Sequence, residues 1–385
     1  MKARKLALLL LPLAALCGCG QQRVLERLGF ININSYDLLP DGQLKMVAFI
    51  PKITGEGDSQ TGESSSGQTG NVQMSGQTSG EVLTTTAHSS KEARMIQSRQ
   101  TNWELVSGQL RNTLFGISVA KQGLWPYVDT LIRDPTISPR LKLSIVDGEA
   151  GDMLNKNYPQ HPGVGRYIDR LLEKEIQDQG IPRVLLYDFE RDYFDDGLDP
   201  VMPILKDAGD NVEISGIALF RDDKYVARID SKDGVLLHML RGKTRNGEIN
   251  IEAPDGGKGL SHAMLSSLAS NRKFKVGKDA AGRISVRITL DVEASVLEYM
   301  GELKIGDDRQ RAKLEALIAE SLKDRAENLI DLMRKNRADG IGAGTAVRNH
   351  IGYAAWKNMN WREEWAGAKI TVHVKMKINN FGKFR

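Results

Sequence analysis

The stretch that decides the fold is GRISVRITLDVEASV (Gly282–Val296), in which apolar and other side chains alternate. Apolar residues occupy every second position from Ile284 to Val292, and this period of two predicts a strand with one buried face. The next segment, DDRQRAKLEALIAESLKDRAENLIDLMRKNRADG (307–340), spaces its apolar residues three and four apart, which predicts a long amphipathic helix. KITVHVKMKI (Lys369–Ile378) then alternates as a last strand. Strands and a helix in this order are typical of an α+β domain.

The segments before this region also mix strands and helices. RLKLSIVDG (Arg140–Gly148) favours a strand, VEISGIALFRDDKYVARI (Val212–Ile229) a hairpin, and LRNTLFGISVA (Leu110–Ala120) a buried strand. GLWPYVDTLIRDPTI (Gly123–Ile137) and RYIDRLLEKEIQDQG (Arg166–Gly180) favour helices. Because strands and helices do not alternate regularly, no parallel sheet is required. We predict an α+β chain of two or three domains, with mixed or antiparallel sheets packed by helices and one long amphipathic helix near the C-terminus.

One segment has a different composition. TGEGDSQTGESSSGQTGNVQMSGQTSG (Thr54–Gly80) contains almost no apolar side chains, so burial cannot offset the entropy lost on ordering it. We expect a disordered loop at 54–88, inside an N-terminal α+β domain of residues 19–200. Residues 201–385 would form a C-terminal α+β region, either as one unit or as subdomains of about 201–280 and 281–385.

The N-terminus has the layout of an export signal. The basic residues Lys2, Arg4 and Lys5 precede an uncharged apolar run, Leu6–Leu16. A membrane-spanning helix needs roughly 20 apolar residues, and this run is much shorter. We therefore expect the segment to be removed after export.

Both cysteines of the chain follow this run, in ALCGCGQQ (Ala15–Gln22). Lipoprotein processing requires an aliphatic residue at −3 and a small residue at −1 before the modified cysteine, and Cys19 meets both requirements. Cys17 fits poorly, since Leu16 would stand at −1. We predict a lipoprotein signal at 1–18 and a diacylglycerol-modified Cys19; an ordinary secretory signal with incidental cysteines is the alternative.

Composition limits the partners of the mature chain. Hydrophobic residues make up 41% and charged residues 26% of the sequence, with a mean hydropathy of −0.35. The formal charge of +4 includes the three cations of the signal, so the mature chain is close to neutral and nucleic acid is not expected as a partner. With its only cysteines removed or lipidated, the folded part depends on burial and not on disulfides.

The sequence contains no recognised catalytic motif: G-x-S-x-G, H-E-x-x-H and G-x-x-x-x-G-K-[ST] do not occur. DGIGAGT (Asp339–Thr345) resembles a dinucleotide-binding loop, but it follows a helix where that loop requires a strand, so we interpret it as a helix C-cap and turn. The acidic run YDFERDYFDDGLD (Tyr187–Asp199) lacks the alternating carboxylates of an EF-hand and is interpreted as a solvated interdomain face. We predict no catalytic residue, no metal site and no cofactor.

Some aromatic and histidine side chains are also candidates for function. Trp356, Trp361 and Trp365 could each anchor a partner, although core packing is the preferred interpretation for at least two of them. His373 falls on the polar side of the last strand and is expected to be exposed. The histidines are scattered without metal-ligand spacing: His88, His161, His238, His262, His350 and His373.

The order of several segments resembles one known family. It begins with FGISVAKQGLWPYVDTLIRDPTISPRLKLSIVDGEAGDML (Phe115–Leu154), which contains an R-D-P triplet at 133–135. DPVMPIL (Asp199–Leu205), ISGIALFRDDKYVARI (Ile214–Ile229) and ADGIGAGTAVR (Ala338–Arg348) follow, before the last strand. Together with the lipidation signal, this order is similar to the Ger(x)C family, the lipoprotein C subunits of spore germinant receptors. The resemblance covers nearly the whole mature chain.

The resemblance implies a non-enzymatic receptor subunit required for nutrient-triggered germination. Family members have α+β ectodomains on the outer face of the cytoplasmic membrane, which is the inner membrane of the spore. Their partners are an A subunit and a polytopic B subunit, and the family implies no catalytic residues. The alternative is a lipid-anchored extracytoplasmic protein that binds a solute or a peptide, which would need a pocket with convergent polar and aromatic groups.

Overall fold

The computed structural model describes residues 27–51, 80–161, 163–252 and 262–382. The strands in these ranges are β1 (Leu28–Phe30), β2 (Ile33–Leu38), β3 (Leu44–Pro51), β4 (Gly80–Ala87), β5 (Glu104–Val106), β6 (Asn112–Gly116), β7 (Lys142–Val146), β8 (Val201–Asp207), β9 (Val212–Arg221), β10 (Lys224–Asp230), β11 (Thr244–Glu252), β12 (His262–Lys278), β13 (Ile284–Met300) and β14 (Lys369–Asn380). The helices are α1 (Ser90–Gln97), α2 (Ile117–Gln122), α3 (Trp125–Ile132), α4 (Ala150–Asn155), α5 (Val164–Gln177), α6 (Leu186–Phe194), α7 (Gly234–Arg241), α8 (Asp308–Lys335), α9 (Ala343–Ile351), α10 (Tyr353–Trp356) and α11 (Trp361–Gly367).

An eight-stranded sheet dominates the first part of the described chain. Its strand order is β10-β9-β8-β7-β6-β2-β3-β4. The pairs β2/β6, β6/β7 and β7/β8 are parallel, whereas the outer pairs are antiparallel. Helices α2 and α3 connect β6 to β7, and helices α4 to α6 connect β7 to β8, because parallel strands need long crossovers. The sheet is mixed, as predicted, although the sequence pattern did not require its parallel centre.

This large sheet also extends beyond the domain boundary expected after residue 200. Strand β8 (Val201–Asp207) pairs with β7, and the hairpin β9/β10 continues the sheet to Asp230. The hairpin itself was predicted, with Arg221–Lys224 as its polar turn, and Arg221 and Lys224 are the last pair before that turn. The sequence pattern did not show that β8 pairs in parallel with β7 and so joins the hairpin to the large sheet.

Two further local expectations need correction. Within the range 54–88, expected to be a disordered loop, Gly80–Ala87 forms strand β4 and pairs with β3; residues 52–79 lie outside the described ranges. The apolar segment 110–120 is a strand only over Asn112–Gly116, and helix α2 then begins at Ile117. Periodicity cannot separate a short buried strand from a buried helix, which explains the second error.

A smaller, four-stranded sheet, β11-β12-β13-β14, forms the second part. Strands β12 and β13 make a long antiparallel hairpin. At its tip the Asp279 carboxylate accepts the backbone N–H groups of Ala281 and Arg283, and Gly282 adopts a φ of +77° that favours glycine. Strand β14 lies parallel to β13, so the connection through α8 is a crossover.

Helix α8 covers one face of the small sheet with the predicted apolar stripe. Its buried residues are Leu314, Ile318, Leu322, Ala326, Leu329, Ile330 and Met333. Each large side chain contributes about 1.5–3 kcal/mol when fully buried. Two glutamates of α8 also accept N–H groups of strand β14, from Val372 to Glu327 at 3.4 Å and from Ile378 to Glu315 at 2.8 Å. These contacts join the helix and the last strand.

Candidate functional site

Between the two sheets, the acidic segment Tyr187–Asp199 meets the helices that follow α8. We call the contact of this segment with residues 337–365 the junction. Asp188, Asp192 and Asp199 are buried, so the segment is not the solvated face that its composition suggested. Arginines from other elements neutralise it: Arg241 of α7, for example, donates to Asp192 at 2.8 Å. These arginines are distant in sequence, which is why the expectation was wrong.

Asp339, in the turn between α8 and α9, lies at the centre of the junction and is buried. Its carboxylate accepts the N–H groups of Ile341 (3.2 Å), Gly342 (2.9 Å), Ala343 (3.2 Å), Gly344 (2.6 Å) and the indole of Trp361 (3.2 Å). The first turn of a helix leaves such backbone donors without intrahelical partners. In a dinucleotide-binding loop, such backbone N–H groups bind phosphate. In the segment Asp339–Thr345 they donate instead to the carboxylate of Asp339.

Asp199 connects Asp339 to the large sheet. Its carboxylate accepts the backbone N–H of Asp339 at 2.7 Å and that of Asp222 at 3.0 Å, and Arg362 donates to it at 3.2 Å. Burial raises the pKa of Asp199, and Arg362 opposes that shift. Burial likewise raises the pKa of Asp339 to about 6, against the hydrogen bonds from Gly344 and Ala343. Asp199 therefore depends on donors from the opposite part of the chain, whereas the carboxylate of Asp339 is held by donors of its own part.

Arg348 of α9 forms a second connection at the edge of the junction. Its guanidinium donates to both carboxylate oxygens of Asp195, at 2.8 and 3.1 Å, and also to Asp196. The indole N–H of Trp356 donates to Asp196 at 2.6 Å. A bidentate arginine–carboxylate pair fixes orientation as well as distance. The end of the acidic segment is thus held against α9 and α10.

The three clustered tryptophans all belong to this packed region. Trp356, Trp361 and Trp365 are 3%, 7% and 0% exposed, so the interpretation as core residues is confirmed. Successive ring centroids lie 5.5 and 5.7 Å apart. Each indole N–H has a partner, that of Trp365 being the carbonyl oxygen of Ala338 at 3.0 Å. Buried indoles with satisfied N–H groups act as structural anchors.

Two glycines permit the close approach of the two parts. A Cβ atom on Gly344 would lie 2.8 Å from the Cα atom of Gly197, and one on Gly197 would lie 2.6 Å from the backbone nitrogen of Thr345. The backbone N–H of Thr345 donates to the carbonyl oxygen of Gly197 at 3.1 Å. The main chains are therefore in direct contact, which only glycine allows.

A small cavity lies among Asp195, Asp199, Arg337, Trp361 and Arg362. Its volume is about 20 Å³, which is sufficient for about one water molecule. A nutrient or peptide does not fit into this space. The contacts of the junction are structural: they fix the position of one sheet relative to the other.

The histidines occupy separate positions in the described ranges. His161 stacks on Tyr167 with centroids 3.9 Å apart, His238 is half-buried with its ring nitrogen 2.7 Å from the carbonyl oxygen of Ile181, and His373 is exposed as expected. Residues 27–51, 80–161, 163–252 and 262–382 contain no group of three His, Cys, Asp or Glu side chains arranged to hold a metal ion.

The predicted lipidation site, Cys19, lies outside the described residues, as do Cys17 and the segment 1–18. Across the part of the chain that the structure describes, no helix combines the length and apolar character needed to cross a bilayer.

Two family models match the chain over almost all of its length. The model of the spore germination protein N-terminal domain matches residues 21–207, and the spore germination B3/GerAC-like C-terminal model matches residues 215–382. The chain belongs to the GerAC-like spore germination protein family. This confirms the resemblance drawn from the order of the sequence segments.

Individual relatives match over the same extent. The spore germination protein GerQC of Bacillus cereus is 24% identical over 367 residues, which cover 95% of this chain and 96% of GerQC. The putative spore germination protein YfkR of Bacillus subtilis (strain 168) is 23% identical over 382 residues, covering 96% and 94% of the two chains. The crystal structure of the GerBC protein superposes with a TM-score of 0.52 at 17% identity, over 90% of this chain and 97% of GerBC. The GerBC superposition shows a shared fold.

Sequence reasoning selected the segments that contain Asp199 and Asp339 but assigned no role to the arginines of the junction. Arg348 stood at the end of a selected segment, and Arg362 was not selected. The available signal was the position of Arg362 beside Trp361 and near Trp365, because tryptophan side chains are highly buried on average. The pairing of the arginines with 195–199 spans more than 150 residues and has no local pattern.

Proposed function

We propose that this chain is the membrane-anchored, non-catalytic C subunit of a spore germinant receptor and is required for nutrient-triggered germination. The observation that carries the proposal is the match to both family domains, over residues 21–207 and 215–382. The predicted lipid modification of Cys19 would anchor the chain to the outer face of the inner membrane of the spore. Two acyl chains suffice for this, at about 0.8 kcal/mol per buried CH₂.

The role of the folded part is to present its surface to partner subunits at a fixed place on the membrane. Its partners are the A and B subunits, which are polytopic membrane proteins. The junction supports this role, because buried charge pairs and contacting main chains leave little freedom between the sheets. A displacement of one sheet by a partner would therefore move the other sheet with it.

The experiment compares spores that carry the wild-type chain, Cys19→Ala or Cys17→Ala. Cys17→Ala is the matched control, because it removes the neighbouring thiol but leaves the expected lipidation site. We expect Cys19→Ala alone to leave the membrane fraction, to lose co-purification with two polytopic subunits and to impair germination with nutrients.

Membrane retention and normal germination of the Cys19→Ala spores would contradict the anchor. Recovery of the wild-type chain without polytopic partners, from a strain whose deletion germinates normally, would contradict the receptor role. That second result would favour the alternative, a lipid-anchored protein that binds a solute or peptide.

A further inference from the structure

The face of the small sheet that points away from α8 carries a concentration of positive charge. The apolar residues of β13, from Ile284 to Val292, join the same core as the stripe of α8. The intervening residues of β13 therefore point to the opposite side, together with their partners on β12 and β14. We call this side the basic face. The cations on it are Lys243, Arg245, Lys273, Lys275, Arg287, Lys369, Lys375 and Lys377, and its carboxylates are Asp291 and Glu293.

The strand register places these charges side by side. Lys275 is the partner of Arg287, whereas Asp291 and Glu293 are the partners of Lys375 and Lys377. Acidic residues of the same sheet lie toward the other end of its strands: Glu248, Glu252 and Glu298. Charge is thus separated along the sheet, with the positive end near the β12/β13 tip and the middle of β14.

A groove of about 460 Å³ runs across part of this face. Asp291 and Glu293 are among the residues that line it, and these carboxylates already have partners: Asp291 pairs with Lys273 at 2.8 Å, and Glu293 accepts from Asn379 at 2.8 Å. Lysines and an arginine line its two sides: Lys243 and Arg245 on one, Lys375 and Lys377 on the other.

The lysines of β14 remain available for a partner. Among the described residues, no carboxylate lies within 4.0 Å of the ammonium groups of Lys375 and Lys377, and both side chains are exposed. Exposed lysines are strongly hydrated point charges, which suit a diffuse negative surface better than one fitted ligand.

We propose that the basic face binds the surface of an anionic phospholipid bilayer. A flat bilayer contacts the exposed lysines and arginines that are spread over the face, while Asp291 and Glu293 keep the partners that they already have. An acidic peptide lying inside the groove would instead meet Asp291 and Glu293 at close range, which opposes its binding. The breadth of the face also fits a planar partner, since its cations are spread over all four strands.

This inference goes beyond the anchor of the proposed function and does not depend on Cys19. The acyl chains would hold the protein on the membrane, whereas the basic face would determine which side of the folded part lies against it. Each lysine or arginine close to an anionic surface raises affinity by about fivefold, and salt weakens the attraction.

The test uses the full chain carrying Cys17→Ser and Cys19→Ser, so that no lipid is attached. Co-sedimentation is measured with vesicles of phosphatidylcholine alone and with vesicles that also contain phosphatidylglycerol, at low and high salt. We expect binding to increase with phosphatidylglycerol and to decrease with salt. In the same background, Lys375→Glu with Lys377→Glu should weaken the phosphatidylglycerol-dependent binding by at least about tenfold.

The matched control is Lys313→Glu with Lys335→Glu, two exposed lysines of α8 on the other side of the small sheet. It makes the same change in net charge and should retain the binding. Equal binding to both kinds of vesicle, or an equal loss in the control, would overturn the proposal. Binding of polyglutamate or DNA in preference to the anionic vesicles would also overturn it, and would assign the face to an acidic macromolecule.

Discussion

The junction and the basic face are both rich in charged side chains, but these side chains are buried in the junction and exposed on the basic face. In the junction, the carboxylates of Asp199 and Asp339 are buried and accept hydrogen bonds from several donors. On the basic face, Lys375 and Lys377 extend into solvent. Buried, satisfied charges hold a structure together, whereas exposed and unpaired charges are available to a partner. Exposure, more than charge itself, separates the two roles.

The largest expected effect tests the junction. Asp339→Ala leaves the backbone donors of α9 and the Trp361 indole without their acceptor, and we expect a loss of about 4 kcal/mol in the free energy of unfolding. The measurement is urea denaturation followed by tryptophan fluorescence. The control is Asp331→Ala, an exposed aspartate of α8 that pairs with Arg334, where a change of about 0.5 kcal/mol or less is expected.

If Asp339→Ala and Asp331→Ala were equally mild, the buried carboxylate would not stabilise the junction. Buried, hydrogen-bonded charge would then contribute no more to stability than exposed charge does.

A smaller effect concerns pH. Because burial raises the pKa of Asp339 from 3.8 to about 6, the folded chain binds a proton that the unfolded chain has already lost. The stability from this proton is fully present below about pH 4 and is lost as pH rises through about 6. Relative to Asp339→Asn, which cannot titrate, the wild type should gain about 1 kcal/mol between about pH 7 and about pH 5.

Urea denaturation of both proteins at the two pH values measures this difference. A wild type that loses stability on acidification, relative to Asp339→Asn, would mean that the surrounding N–H donors outweigh burial and hold the carboxylate ionised.

The smallest expected effect is on the basic face, whose exposed lysines should contribute little to the stability of the fold. Lys375→Glu with Lys377→Glu changes exposed positions next to carboxylates of β13, and we expect the free energy of unfolding to change by about 0.5 kcal/mol or less. Thermal unfolding monitored by circular dichroism provides the measurement. A loss comparable to that of Asp339→Ala would show that these lysines are structural.

Local patterns in the sequence predicted the elements well, and their pairing poorly. Helix α8 and strands β13 and β14 follow from periodicities of 3.6 and 2 residues, which are local properties. The attachment of β8 to β7 is not local, so the sequence pattern did not show that the large sheet continues past residue 200.

The junction shows the same limit for a site. The carboxyl groups of 187–199 and Asp339 could be found from composition and from the glycine-rich motif, but the arginines that neutralise the carboxylates of 187–199 lie far along the chain. The basic face was missed for a different reason. Its charges alternate with core residues on separate strands, so the near-neutral total charge of the mature chain conceals them.

The parallel pairing of β14 with β13 has a consequence for the order of synthesis. Strand β13 ends at Met300, yet its second neighbour begins only at Lys369, so β13 keeps an open edge while the intervening residues are made. The apolar stripe of α8 must likewise wait for the residues that complete the sheet beneath it. A premature stop before Lys369 should therefore yield a chain with an exposed strand edge, prone to aggregation and degradation even though most of its sequence is intact.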